Sequence, residues 1–174
     1  MGGTSEPHII ITGAMGVGKT TVGRLLAAEV GLPFLDSDTI LEEGRAETGA
    51  VIAARDGVAH LHEIELEVFL ELVSRDSRAV IAPASSVVDH ERGREAMDEN
   101  VTVWLTAREE VIARRQAEGD HRRPVGETER ADLRLRRAPR LEAVSTFTID
   151  TSDLSPADVV ATLIERLGFA NPGL

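Results

Sequence analysis

The chain contains no cysteine, and its basic residues are outnumbered by its acidic ones. Without thiols the protein has no disulfide, no thiolate metal site and no cysteine nucleophile. The 19 Lys and Arg residues stand against 30 Asp and Glu, which gives a formal net charge of −11. Because an acidic surface repels phosphate backbones, this balance argues against a general nucleic-acid-binding protein, while a local basic pocket for a small ligand is still compatible with it.

Long hydrophobic runs are also missing. No stretch reaches the roughly 18 apolar residues of a membrane span, and the opening MGGTSEPH lacks the basic and apolar regions of a secretory signal. Hydrophobic residues make up 42% of 174 positions and charged residues 28%. We expect a single cytoplasmic domain over residues 1–174, with tails at about 1–6 and 170–174, which binds neither membrane nor nucleic acid and is a monomer or weak dimer.

Short β-branched runs alternate with longer segments of helical periodicity. The predicted strands are residues 8–12, 33–36, 79–83, 101–105 and 146–150, and the predicted helices are residues 19–30, 39–47, 59–74, 91–98, 108–117, 127–144 and 156–167. This alternation is typical of βαβ units and therefore predicts an α/β fold with a parallel sheet. A polar segment at about 117–129, which carries two glycines and a proline, is either a plain connection or a lid.

The stretch GAMGVGKTT, residues 13–21, follows the first predicted strand and leads into the first predicted helix. It fits G-x-x-x-x-G-K-[ST], in which glycines let backbone N–H groups converge on a phosphate. The lysine of that motif supplies charge to the β- and γ-phosphates, and its hydroxyl residue binds magnesium. The pattern predicts a nucleoside triphosphate and Mg²⁺, with nucleotide contacts from Gly13, Met15, Gly16, Val17, Gly18, Lys19, Thr20 and Thr21. It does not indicate the reaction, because small-molecule kinases, nucleotide kinases, GTPases and motor ATPases share this loop.

Two carboxylates follow the second predicted strand, in GLPFLDSD. Asp36 and Asp38 are two residues apart, so both side chains lie on one face if the segment is extended. In an open α/β sheet, ligands bind beyond the carboxyl ends of the strands, which would direct both carboxylates toward the phosphate loop. One would then serve magnesium and the other an acceptor hydroxyl. The alternative is that DSD is a turn in which Asp38 caps the next helix.

Over almost its whole length the chain resembles the shikimate kinases, a family of small-molecule kinases with a phosphate loop. GAMGVGKTTVGRLLAAEVGLPFLDSD looks like the family's opening, and DGVAHLHEIE stands in place of its G-E-x-x-F-R-x-x-E segment. RAVIAPASSVV occupies the position of the third strand and triple glycine, RRP that of the lid, and RRAPRLEAV that of R-x-P-L-Y. The ending IDTSDLSPADVV resembles the segment that packs on adenine. The resemblance implies a three-layer P-loop kinase fold, with a five-stranded parallel sheet, helices on both faces and a short lid, that moves the ATP γ-phosphoryl group to a hydroxyl.

The resemblance also implies roles for individual residues. On the nucleotide side they are Lys19 and Thr20 in the loop, Asp36 and Thr20 at magnesium, Arg115 and Pro156 around adenine, and Arg123 in the lid, where Arg122 is an alternative. On the acceptor side, Asp38 corresponds to the aspartate that orients or deprotonates the attacking hydroxyl, and Arg137 to an arginine that grips the substrate carboxylate. Lys19, Asp38 and Arg123 would be catalytic. Arg137 alternatively belongs to a solvated basic helix face.

The acceptor side departs from the family pattern at several positions. His62 replaces the second carboxylate-binding arginine, while Ala84, Ser85 and Ser86 replace the triple glycine; Ala82 and Leu141 replace a serine and a tyrosine. A histidine lacks the planar two-point grip of a guanidinium, so the loss of one clamp costs about 2 kcal/mol, or at least thirtyfold in affinity. We therefore expect the acceptor to be shikimate or a related polyhydroxylated compound bound through Asp38, His62, Ser85, Ser86 and Arg137, with altered specificity.

Two further functions are compatible with the sequence. GLPFLDSD is also similar to the gluconate kinases, although their basic acceptor segment is not evident here. A protein of another class, a nucleotide-binding sensor or interaction module without kinase activity, would explain an eroded acceptor site. The retention of Lys19, Asp38 and Arg123 counts against it, because a protein without catalysis has no need of Asp38.

Overall fold

The computed structural model describes residues 6–118 and 127–169. Its strands are β1 (Ile9–Gly13), β2 (Phe34–Asp36), β3 (Val80–Ala82), β4 (Val101–Thr106) and β5 (Phe147–Asp150). Its helices are α1 (Lys19–Val30), α2 (Ser37–Arg45), α3 (Gly49–Asp56), α4 (Val58–Val73), α5 (Glu91–Asp98), α6 (Glu109–Glu118), α7 (Glu127–Val144) and α8 (Pro156–Leu167), with a 3-10 turn at Val87–Asp89. The five predicted strands and seven predicted helices are confirmed, with ends that shift by two residues or fewer.

All strands pair in parallel, in the order β2-β3-β1-β4-β5. The first strand is thus central, and the third strand inserts between it and the second. Because parallel strands present their carboxyl ends at one edge, the segments after β1, β2 and β3 emerge side by side. This edge is where the functional residues collect, and the α/β fold predicted from the sequence is confirmed.

Each face of the sheet packs against its own helices. On one face, Ile9 and Ile11 of β1 belong to a buried cluster with α1 and α8. On the other, Ile10 and Ile81 pack with α4, α5 and α7. Helix α4 contributes its apolar face to this second cluster through Leu66, Phe69 and Leu72.

Helix α3 was not predicted. Thr48 caps its start by accepting a hydrogen bond from the Val51 N–H at 3.3 Å. Two left-handed residues delimit it, Ala46 with φ of 54° before it and Gly57 with φ of 92° after it. Its Ile52 is buried in a small third cluster with Leu41 of α2 and with α4. Tertiary burial therefore stabilises this helix, which is only eight residues long.

Most of the predicted lid and the predicted tails lie outside the described residues. None of the described helices combines the length and the apolar character needed to cross a bilayer.

Candidate active site

The phosphate loop lies between β1 and α1, at the centre of the sheet. Gly13, Gly16 and Gly18 have φ angles of 143°, 82° and 108°, which side chains rarely adopt. A Cβ atom on Gly13 would lie 2.4 Å from the carbonyl oxygen of Leu105. No side chain caps the start of α1, so the first N–H groups of the helix face the loop as a site for an anion. The turn therefore has the geometry of a phosphate cradle.

Helix α6 fastens this loop from the side. Gln116 Nε2 donates to the Met15 carbonyl at 2.8 Å, and Arg115 Nη1 donates to the Val17 carbonyl at 3.1 Å. Arg115 also donates to the hydroxyl and carbonyl oxygens of Thr151, at 3.0 and 2.9 Å. The guanidinium thus joins the phosphate loop to the segment between β5 and α8. Pro156 is exposed at the first position of α8, and the adenine contacts expected of Arg115 and Pro156 stay predictions.

Lys19 is the only lysine of the chain. Its Nζ donates to the carbonyl oxygens of Gly13 and Ala14, at 3.0 and 3.3 Å, and to Ser85 Oγ at 2.9 Å. Burial lowers the pKa of the Lys19 ammonium, and the carboxylates of Asp38 and Asp36 oppose this effect. Oxygen atoms in the loop thus hold the cation at the place where nucleotide phosphates would bind.

Asp36 and Asp38 do not share one extended face as the sequence spacing suggested. Asp36 ends β2 and caps α2, accepting from the N–H groups of Asp38 and Thr39 at 3.1 and 3.2 Å. Asp38 is already in the first helical turn. The expectation of a common extended face is wrong because the helix begins at Ser37, one residue after the strand ends. The capping alternative named the wrong aspartate, since Asp36 and not Asp38 caps α2, and Asp38 lies at the cavity described below.

Thr20 and Asp36 present a pair of oxygen ligands. Thr20 Oγ1 donates to Asp36 Oδ2 at 2.7 Å, and the other carboxylate oxygen is used by the α2 cap. Hydroxyl and carboxylate oxygens are the ligand atoms that Mg²⁺ prefers. The residues present therefore fit the ion that the sequence predicts.

A cavity of about 380 Å³ extends from the phosphate loop to α7. The predicted residues that line it are Gly13, Met15, Val17, Lys19, Asp38, His62, Ser85, Ser86 and Arg137. Gly16, Gly18, Thr20, Thr21 and Asp36 belong to the adjoining loop and helix starts and are not in its lining. Arg123 and Arg122 lie outside the described residues. The fold thus brings together side chains from α2, α4, α7 and the segment after β3.

The two serines in place of the triple glycine are both hydrogen-bonded. Ser85 Oγ accepts from Lys19 and donates to the Gly13 carbonyl at 3.0 Å. Ser86, which is buried, donates to the carboxylate of Glu65 on α4. Ser85 therefore faces the phosphate loop, and Ser86 faces α4.

Arg137 is not part of a solvated face, because only 12% of its side chain is exposed. Its Nε and Nη2 both donate to Asp89 Oδ2, at 2.9 and 2.6 Å. Arg140 Nη1 donates to Asp89 Oδ1 at 2.8 Å. Burial on its own would raise the pKa of the Asp89 carboxyl, but the two arginines outweigh burial and hold that pKa below its ordinary value.

Comparison with known proteins identifies the family. The model of the family described as shikimate kinase matches residues 15–168. The chain belongs to the shikimate kinase family. It is 35% identical to the shikimate kinase of Symbiobacterium thermophilum, over 92% of this chain and 95% of that one, and 36% identical to that of Chromohalobacter salexigens, over 92% and 91%. The structure of the Acinetobacter baumannii shikimate kinase in complex with shikimate superimposes with a TM-score of 0.87 at 31% identity, covering 94% of this chain and 93% of that one.

Membership of the shikimate kinase family establishes the class of chemistry. The protein is a phosphotransferase, a small-molecule kinase with a phosphate loop that uses ATP and Mg²⁺ and acts on a small hydroxyl-bearing acceptor. The comparisons favour neither the gluconate-kinase alternative nor the non-catalytic one.

The sequence did not single out two residues that the structure brings to this shikimate-kinase-like site. Gln116 supports the phosphate loop from 101 positions away, and Asp89 binds Arg137 across 48 positions. Asp89 ends a short 3-10 turn after two buried valines, and Gln116 lies in an ordinary helix. Neither position carries a local pattern that identifies its partner.

Proposed function

We propose that this protein transfers the γ-phosphoryl group of ATP to a hydroxyl of shikimate or of a closely related polyhydroxylated acid. The observation that supports this most is the cavity that joins Lys19 to Asp38 and Arg137. A cation for phosphates, a carboxylate for a hydroxyl and a cation for a carboxylate surround one space. The Acinetobacter relative, whose structure contains shikimate, adds support from the family.

Asp38 is the residue that receives or orients the acceptor hydroxyl in this proposal. A carboxylate within hydrogen-bond reach raises the nucleophilicity of a hydroxyl and accepts its proton as the bond to phosphorus forms. Lys19 stabilises charge on the transferred group. Thr20 and Asp36 would hold Mg²⁺, which would supply charge neutralisation at the phosphates. Arg123 would add a further cation from the lid.

The specificity of the acceptor site differs from the family pattern. His62 stands where a second guanidinium would stand and cannot make its planar two-point contact, so Arg137 is the main contact for a carboxylate. The hydroxyl of Ser86 and the carboxylate of Glu65 form one hydrogen-bonded pair beside it. We infer that these groups suit acceptor hydroxyls and that affinity for shikimate is reduced.

A coupled assay of ADP release tests both statements. The acceptors are shikimate, quinate, gluconate and a set of cyclitols at matched concentrations. The blank is the hydrolysis of ATP in the absence of any acceptor. We expect turnover of a hydroxylated carboxylic acid, with shikimate at a KM well above the micromolar range. Efficient turnover of shikimate at micromolar concentration would contradict the altered specificity, and tight ATP binding without transfer to any acceptor would contradict the kinase function in favour of a sensor.

The proposal places the enzyme in the cytoplasm as a monomer or weak dimer. The absence of cysteine agrees with that compartment. Light scattering over a concentration series tests the oligomeric state.

A further inference from the structure

The turn at Val87–Asp89 directly follows Ser86, so one short segment carries both acceptor-side serines and Asp89. The turn is held tightly, because Val87 and Val88 are buried and the Asp89 N–H donates to the Ser86 carbonyl at 2.8 Å. Asp89 therefore has a defined position relative to the cavity. It faces α7, which carries Arg137 and Arg140.

Asp89 binds one edge of the Arg137 guanidinium. Nε and Nη2 each use one N–H group on Asp89 Oδ2. A guanidinium has five N–H groups, and in the described part of the chain the hydrogen bonds of Arg137 go to Asp89 alone. The N–H groups of Nη1, and the second one of Nη2, form the other edge of the fork. Arg137 lines the cavity, so this second edge suits a two-point contact with a carboxylate.

Arg140 fixes Asp89 in turn. Its Nη1 contacts Oδ1, the oxygen that Arg137 does not use. Two arginines share one carboxylate, so the group retains a net positive charge and still attracts an anion. Arg140 is 44% exposed on its side chain and Arg137 only 12%. The outer arginine therefore supports the carboxylate while the inner one faces the ligand.

We propose that Asp89 is a positioning residue that orients Arg137 toward the carboxylate of a hydroxylated acid. The proposal rests on the proposed function, in which Arg137 contacts the acceptor. It explains how one arginine suffices where His62 has replaced the second: a guanidinium with a fixed plane loses less freedom when it binds. The pair Asp89 and Arg140 thereby selects carboxylated over neutral acceptors.

The test replaces Asp89 by asparagine, which keeps the size and removes the charge. Calorimetry measures the Kd of the acceptor that the assay identifies, and of its methyl ester, in the absence of nucleotide; kinetics measure KM and kcat. In Asp89→Asn we expect Kd and KM for the acid to rise about tenfold or more, because misorientation of a clamp is costly. Binding of the ester, kcat and the KM for ATP should stay within about twofold.

Glu67→Gln is the matched control, because Glu67 also pairs with an arginine, Arg92 of α5, at 2.8 Å, and that pair is exposed and does not line the cavity. It should change none of these constants. Arg140→Leu is the second variant, which keeps the Asp89–Arg137 contact and removes its support. We expect it to weaken binding of the acid by a few-fold, and it provides the test if Asp89→Asn does not fold.

Unchanged or tighter binding of the acid in the variants overturns the positioning role, since Asp89 would then be neutral or a competitor for Arg137. Equal weakening for acid and ester also overturns it, because that is the result of a general structural defect. If the wild-type protein binds and phosphorylates only neutral polyols, the proposed class of acceptor is wrong, and the role of Asp89 is wrong with it. If the wild-type protein phosphorylates a hydroxylated acid and Asp89→Asn behaves like it, the proposed function stands and the inference alone is wrong.

Discussion

The nucleotide half and the acceptor half of the site are built from different parts of the chain. The nucleotide half depends on backbone: three glycines with positive φ, the start of α1 and the carbonyls that hold Lys19. The acceptor half depends on side chains that α2, α4, α7 and the segment after β3 each contribute. A backbone cradle requires its glycines together, whereas side chains can be exchanged one at a time. This difference explains why the chain departs from the shikimate kinase pattern on the acceptor side.

The largest expected effect breaks the nucleotide half. Lys19→Ala should lower kcat about 10³-fold, because it removes the cation that stabilises charge on the transferred group. Steady-state kinetics with the preferred acceptor measure it. Arg24→Ala, which removes an exposed cation further along α1, is the control and should leave kcat unchanged. A Lys19→Ala protein with more than a tenth of the normal kcat would contradict the assigned position of the phosphates.

The next effect is expected at the boundary of the two halves. Asp38→Asn should lower kcat about 10²-fold, because general-base or orienting contacts of this kind contribute that much. Nucleotide affinity, measured by calorimetry, should change by less than about twofold. Glu43→Gln removes an exposed carboxylate on the same helix and serves as the control. Parallel loss of ATP binding in Asp38→Asn would place this carboxylate in the nucleotide half instead.

A smaller effect should come from restoring the family's arginine to the acceptor half. His62→Arg should lower the KM for a carboxylated acceptor up to about thirtyfold, the value of one two-point contact. The constants for ATP and for a neutral acceptor should not change. His60→Arg adds the same charge on an exposed face of α4 and separates a local contact from general attraction. If both variants improve the KM equally, the acceptor carboxylate does not lie near position 62.

The subtlest effect concerns the protonation of Lys19. Its pKa should lie below the ordinary 10.5 in the free protein and rise when MgADP or a non-hydrolysable MgATP analogue binds, because phosphate charge favours the ammonium. At pH values between the lowered pKa of the folded protein and the ordinary pKa of the unfolded chain, the unfolded chain binds this proton more than the folded protein does. The contribution of Lys19 to the free energy of unfolding therefore increases with pH across that range.

Because no other lysine is present, a protein labelled at lysine shows one side-chain resonance, and its NMR titration gives the pKa directly. Lys19→Arg, which lacks the resonance, assigns it. A pKa that falls on nucleotide binding would contradict the contact with phosphates.

The sequence predicted local structure well wherever one segment carries its own pattern. Helices α1, α5, α7 and α8 have the predicted ends, because their periodicity lies within the segment. The phosphate loop is equally local, since spacing alone marks its glycines. Prediction failed where burial by distant residues decides the outcome. Helix α3 forms because Ile52 is buried between α2 and α4. Asp38 does not lie on an extended face because α2 begins at the residue directly after β2.

The candidate site follows the same division. The individual residues of the site could be predicted because they match the phosphate-loop motif and the family's segments. The residues that each of them contacts could not be predicted from the sequence. Ser85 contacts Lys19 across 66 positions and Arg137 contacts Asp89 across 48. Such contacts depend on the strand order β2-β3-β1-β4-β5, which leaves no mark on any single segment.

From its sequence alone, this protein therefore has an α/β fold with a loop for a nucleotide and Mg²⁺, because the loop and the alternation of strands and helices are properties of short stretches of chain. Its resemblance to the shikimate kinases adds phosphoryl transfer from ATP to a small molecule. Only the tertiary structure decided which side chains meet across the cavity, that Asp36 caps a helix, and that Asp89 binds Arg137. These are contacts between elements far apart along the chain, and packing on the central sheet is what brings them within hydrogen-bond distance.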